Sequence, residues 1–137
     1  MFALPDCAVE IAAYYEVPIQ VVAAVQQQES GSRGQAVGRI GPNKNGTYDL
    51  GIMQINTWWL DPETNRNHLQ QWGITEQELL ENECTNIAVG TWILYENITL
   101  YGDWEAALAA YNAGSPESPV GQHYANQVLA TLGDQYQ

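Results

Sequence analysis

Apolar residues recur at helical spacing in successive stretches of this chain, and no alternating strand pattern is sustained. Residues 6 to 16 read as a first helix, with Asp6 as N-cap and Ile11, Ala12 and Tyr15 on its apolar side. A second helix opens at Pro18, whose missing N–H costs nothing at a first helical position. Val22, Val25 and Glu29 fall at i, i+3 and i+7 on one face of it, so the carboxylate of Glu29 continues a stripe meant for the core. Residues 31 to 48 are rich in Gly and Asn and read as one long irregular loop. Residues 49 to 60 read as a compact helical segment capped by Asp49, with Ile52, Ile55 and Trp59 on one face. Residues 61 to 73 read as connector. Thr75 and Glu78 then form a capping-box pattern over a short helix.

Residues 85 to 101 follow as a long apolar helix in which Gly90 marks a close helix crossing. Gly102 stops it, and Asp103 caps an alanine-rich helix over 104 to 112. After a loop over 115 to 119, a final helix runs from 120 to 132 with Tyr124 and Val128 on one side. The expectation is an all-α fold in a single domain over residues 1–137, without internal repeat or linker.

Charge narrows the function. Sixteen acidic and 4 basic side chains give a formal net charge of −12. Nucleic-acid binding and a basic membrane-surface helix both need the opposite sign. The four cations, Arg33, Arg39, Lys44 and Arg66, all follow Glu29 within one window, which leaves a less repulsive rim for a substrate bearing carboxylates. No membrane span or signal peptide is legible, and stable membrane insertion is not expected. Either an export signal has been removed and Met1 is an added residue, or the protein reaches its compartment another way.

Cys7 and Cys84 are the only cysteines and lack zinc-ligand spacing. A disulfide, with the oxidising compartment it implies, is favoured over two free buried thiols. His68 and His123 are isolated, so no metal or cofactor is expected. Asn45-Gly46-Thr47 and Asn97-Ile98-Thr99 match the glycosylation acceptor pattern and are taken as unmodified.

Glu29 is the strongest chemical candidate. Partial desolvation raises a carboxyl pKa, which is what proton donation near neutral pH requires. Gln54 and Asn56 sit beside apolar residues, where amides are a cost in a core but bind hydroxyl and N-acetyl groups in a cleft. Tyr111, Trp58 and Trp59 are candidate ligand-stacking rings; the two adjacent tryptophans cannot both face one way, so one is expected to be exposed. Trp104 is better read as core.

Gln28-Glu29-Ser30-Gly31, Gly51-Ile52-Met53-Gln54-Ile55-Asn56 and Ala110-Tyr111-Asn112-Ala113-Gly114, in this order, resemble the soluble lytic transglycosylase family. The likeness runs from about residue 5 to residue 130. Asn86-Ile87 after Cys84 and the two-cysteine layout resemble its small branch that serves secretion, conjugation and type IV pilus machines. The resemblance implies a lysozyme-like domain with a groove for a peptidoglycan glycan strand, acting in the periplasm or after export. It implies cleavage of the β-1,4 bond between N-acetylmuramic acid and N-acetylglucosamine. By position, Glu29 is the single catalytic acid and base. Ser30, Gln54, Asn56, Tyr111, Asn112 and Tyr124 are substrate-site residues, Tyr124 lying close to the catalytic carboxyl and Ser30 supportive rather than reactive. The loop from Gly34 to Tyr48 matches the family least. Asp49 is the one acid near a motif, and capping accounts for it. A goose-type hydrolase using a second acid such as Asp49, or a non-catalytic peptidoglycan-binding subunit, are the rival readings.

Overall fold

The computed structural model describes residues 4–136; Met1 lies outside them. Six helices make up most of it: α1 Cys7–Tyr15, α2 Ile19–Glu29, α3 Glu76–Glu81, α4 Glu83–Tyr101, α5 Trp104–Ala113 and α6 Pro119–Tyr136. A small antiparallel sheet of two-residue strands lies between α2 and α3: β1 Arg39–Ile40, β2 Asp49–Leu50 and β3 Ile55–Asn56.

Capping chemistry sets the helix boundaries. Pro18 is the N-cap of α2 rather than its first residue, and its carbonyl accepts from Val21 and Val22 N–H. Asp6 precedes α1 but forms no side-chain cap bond. Thr75 Oγ1 accepts from Glu78 N–H at 3.1 Å, one half of the capping box. The Glu78 carboxylate turns instead to the Thr85 hydroxyl, also at 3.1 Å. Asn82 accepts from Thr85 N–H, which starts α4 two residues before the expected position. Gly102 takes φ 85° and Asp103 accepts from Ala106 N–H at 2.8 Å, which closes α4 and opens α5 as anticipated.

Residues 49 to 60 correct the sequence reading. They are β2, a turn, β3 and a 3₁₀ turn over Thr57–Leu60, and Asp49 is a strand residue rather than a helix cap. The loop expected over 31 to 48 contains a 3₁₀ segment over Gly31–Val37 and strand β1.

The core fills the space between α2, α4, α5 and α6, with Leu50, Ile52, Met53 and Ile55 inserted from the sheet side. α5 packs most extensively, on α6 and on α4. Its Ala107, Leu108, Ala109 and Ala110 are buried. Gly121 of α6 permits a close crossing with α5: a Cβ there would stand 2.6 Å from the Ala109 carbonyl. Gly90 makes room for a side chain instead, since its Cβ would meet Met53 at 2.9–3.1 Å. Cys7 and Cys84 are disulfide-bonded and tie the start of α1 to the start of α4. No single described helix is long and apolar enough to cross a membrane.

Candidate active site

A cleft of about 280 Å³ opens where the end of α2, the β2–β3 arm and the end of α5 converge. Glu29, Asp49, Gln54, Asn56, Tyr111 and Asn112 all line it. Each arrives by a different route. Glu29 is the last residue of α2, carried on a helix whose Val21, Val22 and Val25 are buried. Gln28 of the same turn donates from Nε2 to Gln127 Oε1 at 2.9 Å, which fastens this end of α2 to α6.

Ser30 does not reach the cleft. It is 2 % exposed. Its Oγ accepts from Gln26 Nε2 at 3.0 Å, and the same amide donates to the Gly31 carbonyl at 2.8 Å. Ser30 thus fixes the backbone just after Glu29, a supportive place inside the protein.

The β2–β3 arm is built around one buried amide. Asn86 of α4 is fully buried. Its Nδ2 donates to the Leu50 and Leu79 carbonyls at 2.9 Å each, and its Oδ1 accepts from Met53 N–H at 2.8 Å. Gly51 passes over it at φ 70°, where a Cβ would lie 2.5 Å from Asn86 Nδ2. Gln54 also takes a positive φ, 52°, and its Nε2 donates to the Gly51 carbonyl at 2.9 Å. A non-glycine residue in that region is uncommon and strained, and occurs where surrounding contacts enforce it.

Asn56 is fully committed to neighbours. Its Nδ2 donates to Thr47 Oγ1 and Asp49 Oδ1, both at 2.9 Å, and its Oδ1 accepts from Trp58 N–H. Asp49 accepts a second bond, from Asn43 Nδ2 at 3.2 Å. A second carboxylate therefore faces the cleft, held by two amides. The sequence reading gave it to a cap. Its signal was the mirrored pair Asp49-Leu50 and Ile55-Asn56 about a glycine, the pattern of a hairpin.

The electrostatics centre on Glu29. Burial raises its pKa from 4.5 to about 7; the Tyr124 hydroxyl opposes that rise and the Asp49 charge adds to it. Tyr124 is 6 % exposed, and its Oη has no hydrogen-bond partner among the described residues. Tyr124 and Glu29 perturb each other's titration, so the phenol stands close to the carboxyl. Tyr111 Oη donates to the Met53 carbonyl at 2.8 Å, and its ring stacks on Tyr124 with centroids 6.5 Å apart. Both phenols titrate well above their usual range, first because they are buried and then because Glu29 is near, so they remain donors. Tyr124 is thus beside the carboxyl, behind the cleft wall rather than on it.

Trp58 and Trp59 both line the cleft, edge to face at 5.0 Å. Trp58 is 41 % exposed, whereas Trp59 packs on the core and on Trp92. Trp104 packs against the core as expected. Among the described residues no group of three His, Cys, Asp or Glu is placed to hold a metal ion.

Comparison with known proteins agrees with this geometry. A family model described as "Transglycosylase SLT domain" matches residues 6–127. "Invasion protein IagB" of Salmonella typhimurium is 36% identical over 129 residues, covering 92% of this chain and 74% of that protein. "Protein IpgF" of Shigella flexneri is 32% identical, covering 80% of this chain and 66% of its own length. A "Peptidoglycan-binding-like protein" of Escherichia coli O157:H7 is 30% identical over 82% of this chain. The structure of an inactive variant of lytic transglycosylase Slt from Pseudomonas aeruginosa superposes with a TM-score of 0.62 at 20% identity. That match covers 90% of this chain and 22% of the larger enzyme, and it shows the lysozyme-like fold. With its three motifs gathered around one cleft, the chain belongs to the SLT transglycosylase domain family.

Proposed function

We propose that this chain is a single catalytic domain over 1–137 that cleaves peptidoglycan strands non-hydrolytically between N-acetylmuramic acid and N-acetylglucosamine. The observation that carries the reading is Glu29: a carboxyl at the cleft wall, largely desolvated, with a pKa of about 7. Such a group is about half protonated at neutral pH and serves in turn as acid and base.

In the first step Glu29 gives its proton to the bridging oxygen, and the C1–O bond breaks as that oxygen leaves as a hydroxyl. Glu29, now anionic, takes the proton of the muramyl C6 hydroxyl. The C6 oxygen bonds to C1 and closes a 1,6-anhydro ring. No water is consumed. Tethering the nucleophile to the same sugar supplies a proximity advantage over bulk water. Tyr124 is the residue to steady the carboxylate between steps, because its hydroxyl is an available donor beside it. Gln54 and Asn112 are placed to meet hydroxyl and N-acetyl groups, and Trp58 and Trp59 to stack on sugar faces. Asn56 and Tyr111 act by holding the cleft walls.

A second reading has its own observation. Asp49 shares the cleft and is near enough to raise Glu29. Two carboxylates flanking the bond are what a hydrolase uses to activate water. Mass spectrometry of muropeptides released from purified peptidoglycan separates the two. Products one water lighter, ending in 1,6-anhydromuramic acid and absent with Glu29→Gln, are expected. Reducing-end products would assign the hydrolase and make Asp49 its second acid. No release would leave a peptidoglycan-binding subunit.

The disulfide and the proposed peptidoglycan substrate both support a location in the periplasm or outside the cell. The likeness to a protein described as an invasion protein supports work beside a secretion, conjugation or pilus apparatus, opening the wall locally.

A further inference from the structure

A second groove, of about 620 Å³, shares no residue with the catalytic cleft and is the roomier of the two. Its floor is one face of α4, where Thr85, Ala88, Val89 and Trp92 follow at i, i+3, i+4 and i+7. That run spans about 10 Å, or two turns of helix. Beside it stand Tyr15 of α1, its ring 5.8 Å from that of Tyr95, and Trp72 of the segment before α3. Trp72 is 57 % exposed, and its ring is held edge to face on Trp92 with centroids 5.7 Å apart. An indole fixed on one edge and open on the other offers a large apolar contact at little ordering cost.

The groove is apolar, and its charge has one sign. Glu78 lines it and is exposed. Glu96, one turn past Trp92 on α4, is exposed too; after burial and Tyr14, its charge helps to hold the Tyr15 phenol above its usual range. None of the chain's four cations lines the groove. A second copy of the chain would bring a net charge of −12 against these acids. A peptidoglycan strand would bring carboxylates of its own. A segment with an apolar side and flanking lysine or arginine answers both features, its apolar side chains meeting Trp72, Ala88 and Trp92 and its cations meeting Glu78 and Glu96.

We infer that this groove docks a basic amphipathic helix of a partner protein, laid along α4 and anchored through its own i, i+3, i+4 and i+7 positions. Trp92 touches Trp72 on the groove side and Trp59 on the cleft side, the latter at 5.5 Å. A docked helix therefore sits directly behind a wall of the catalytic cleft and leaves the cleft open, since the two sets of lining residues are separate. The inference stands without the glycan-cleaving role.

The test is fluorescence anisotropy of a labelled leucine–lysine peptide with leucine at i, i+3, i+4 and i+7, against the same composition scrambled so that no apolar face forms. The ordered peptide should bind roughly tenfold tighter than the scrambled one. Trp72→Ala should remove roughly that tenfold, as loss of an aromatic anchor does. Ala88→Lys, which sets a cation on the groove floor, should do the same with Trp72 untouched. Glu78→Gln should weaken binding about threefold at low salt and little at high salt. Glu105→Gln, at an exposed acid on α5 outside the groove, should change nothing. Equal binding of the two peptides, or equal effects of Glu78→Gln and Glu105→Gln, overturns the inference in favour of general attraction to an acidic surface. Undiminished binding by Trp72→Ala and Ala88→Lys overturns the site. Self-association that Ala88→Lys abolishes would give the groove to a second copy, and binding of soluble glycan strands that Trp72→Ala weakens would give it to the strand; either overturns the basic partner.

Discussion

Glu29 shows how one side chain couples reactivity to stability. Its carboxyl holds a proton up to about pH 7 in the folded chain but only to about 4.5 when exposed. Between those values the folded state binds a proton that the unfolded state lacks, so stability falls as pH rises. The contribution is at its best below pH 4.5 and is lost by pH 7, at a cost of about 3 kcal/mol. Glu29→Gln removes this titration. In urea denaturation the variant should match the native chain at pH 4 and exceed it by up to ~3 kcal/mol at pH 8. A gap that does not open with pH would mean that Glu29 titrates as an ordinary glutamate. The same proton governs the proposed chemistry. Only protonated Glu29 can donate to the leaving oxygen, so the rate on glycan strands should fall about tenfold per pH unit above 7.

At the scale of elements, the weight falls on the β2–β3 arm, the segment that the sequence disguised. Ile52, Ile55 and Trp59 keep helical spacing, yet Gly51 and Gln54 turn the chain through positive φ and bring Ile55 back beside Leu50. Periodicity cannot separate those outcomes over so short a run, because the deciding partner is Asn86, thirty-three residues from Met53. The long helices were legible because their caps and stop glycines are local: Asp103, Gly102 and Gly114 act within their own turns. The Glu29, Gln54, Asn56, Tyr111 and Asn112 grouping was legible as motifs, but the placement of Asp49 needed the hairpin. Asn86→Ala would strand the Met53 N–H and remove the buried amide donor from the Leu50 and Leu79 carbonyls, the second of which keeps Gln35 Nε2 at 3.4 Å. Each buried group left without a partner costs about 1–3 kcal/mol, so a loss of at least ~2 kcal/mol is expected in thermal or urea denaturation. Activity should drop further than stability accounts for, since Tyr111 is anchored on the Met53 carbonyl of the same turn. A loss under ~1 kcal/mol would show that the arm holds without its amide.

Across the whole molecule, the two halves of the core are joined by packing and by one covalent link. Cys7 and Cys84 are 77 residues apart in sequence, and between them lie α1, α2, the sheet and α3, which together supply Glu29 and the opposite cleft wall. The pairing was legible from the count of cysteines; the consequence was not, because it depends on what the loop encloses. Closing a loop of this length restricts the unfolded chain by about 4 kcal/mol on the chain-entropy model. That is a large share of the 5–15 kcal/mol typical of a domain. A net charge of −12 adds self-repulsion that favours expansion. The Cys7→Ser/Cys84→Ser variant should therefore lose about 4 kcal/mol in urea denaturation. The loss should be larger at low ionic strength, where the surplus acidic charge is least screened. It should keep its cleavage products while it remains folded, since neither cysteine touches the cleft. A variant as stable as the native chain would place the hold on α1 in its packing against α4, through Ala8 and Ala12. A folded variant with altered products would show that the link between α1 and α4 also sets the geometry at Glu29.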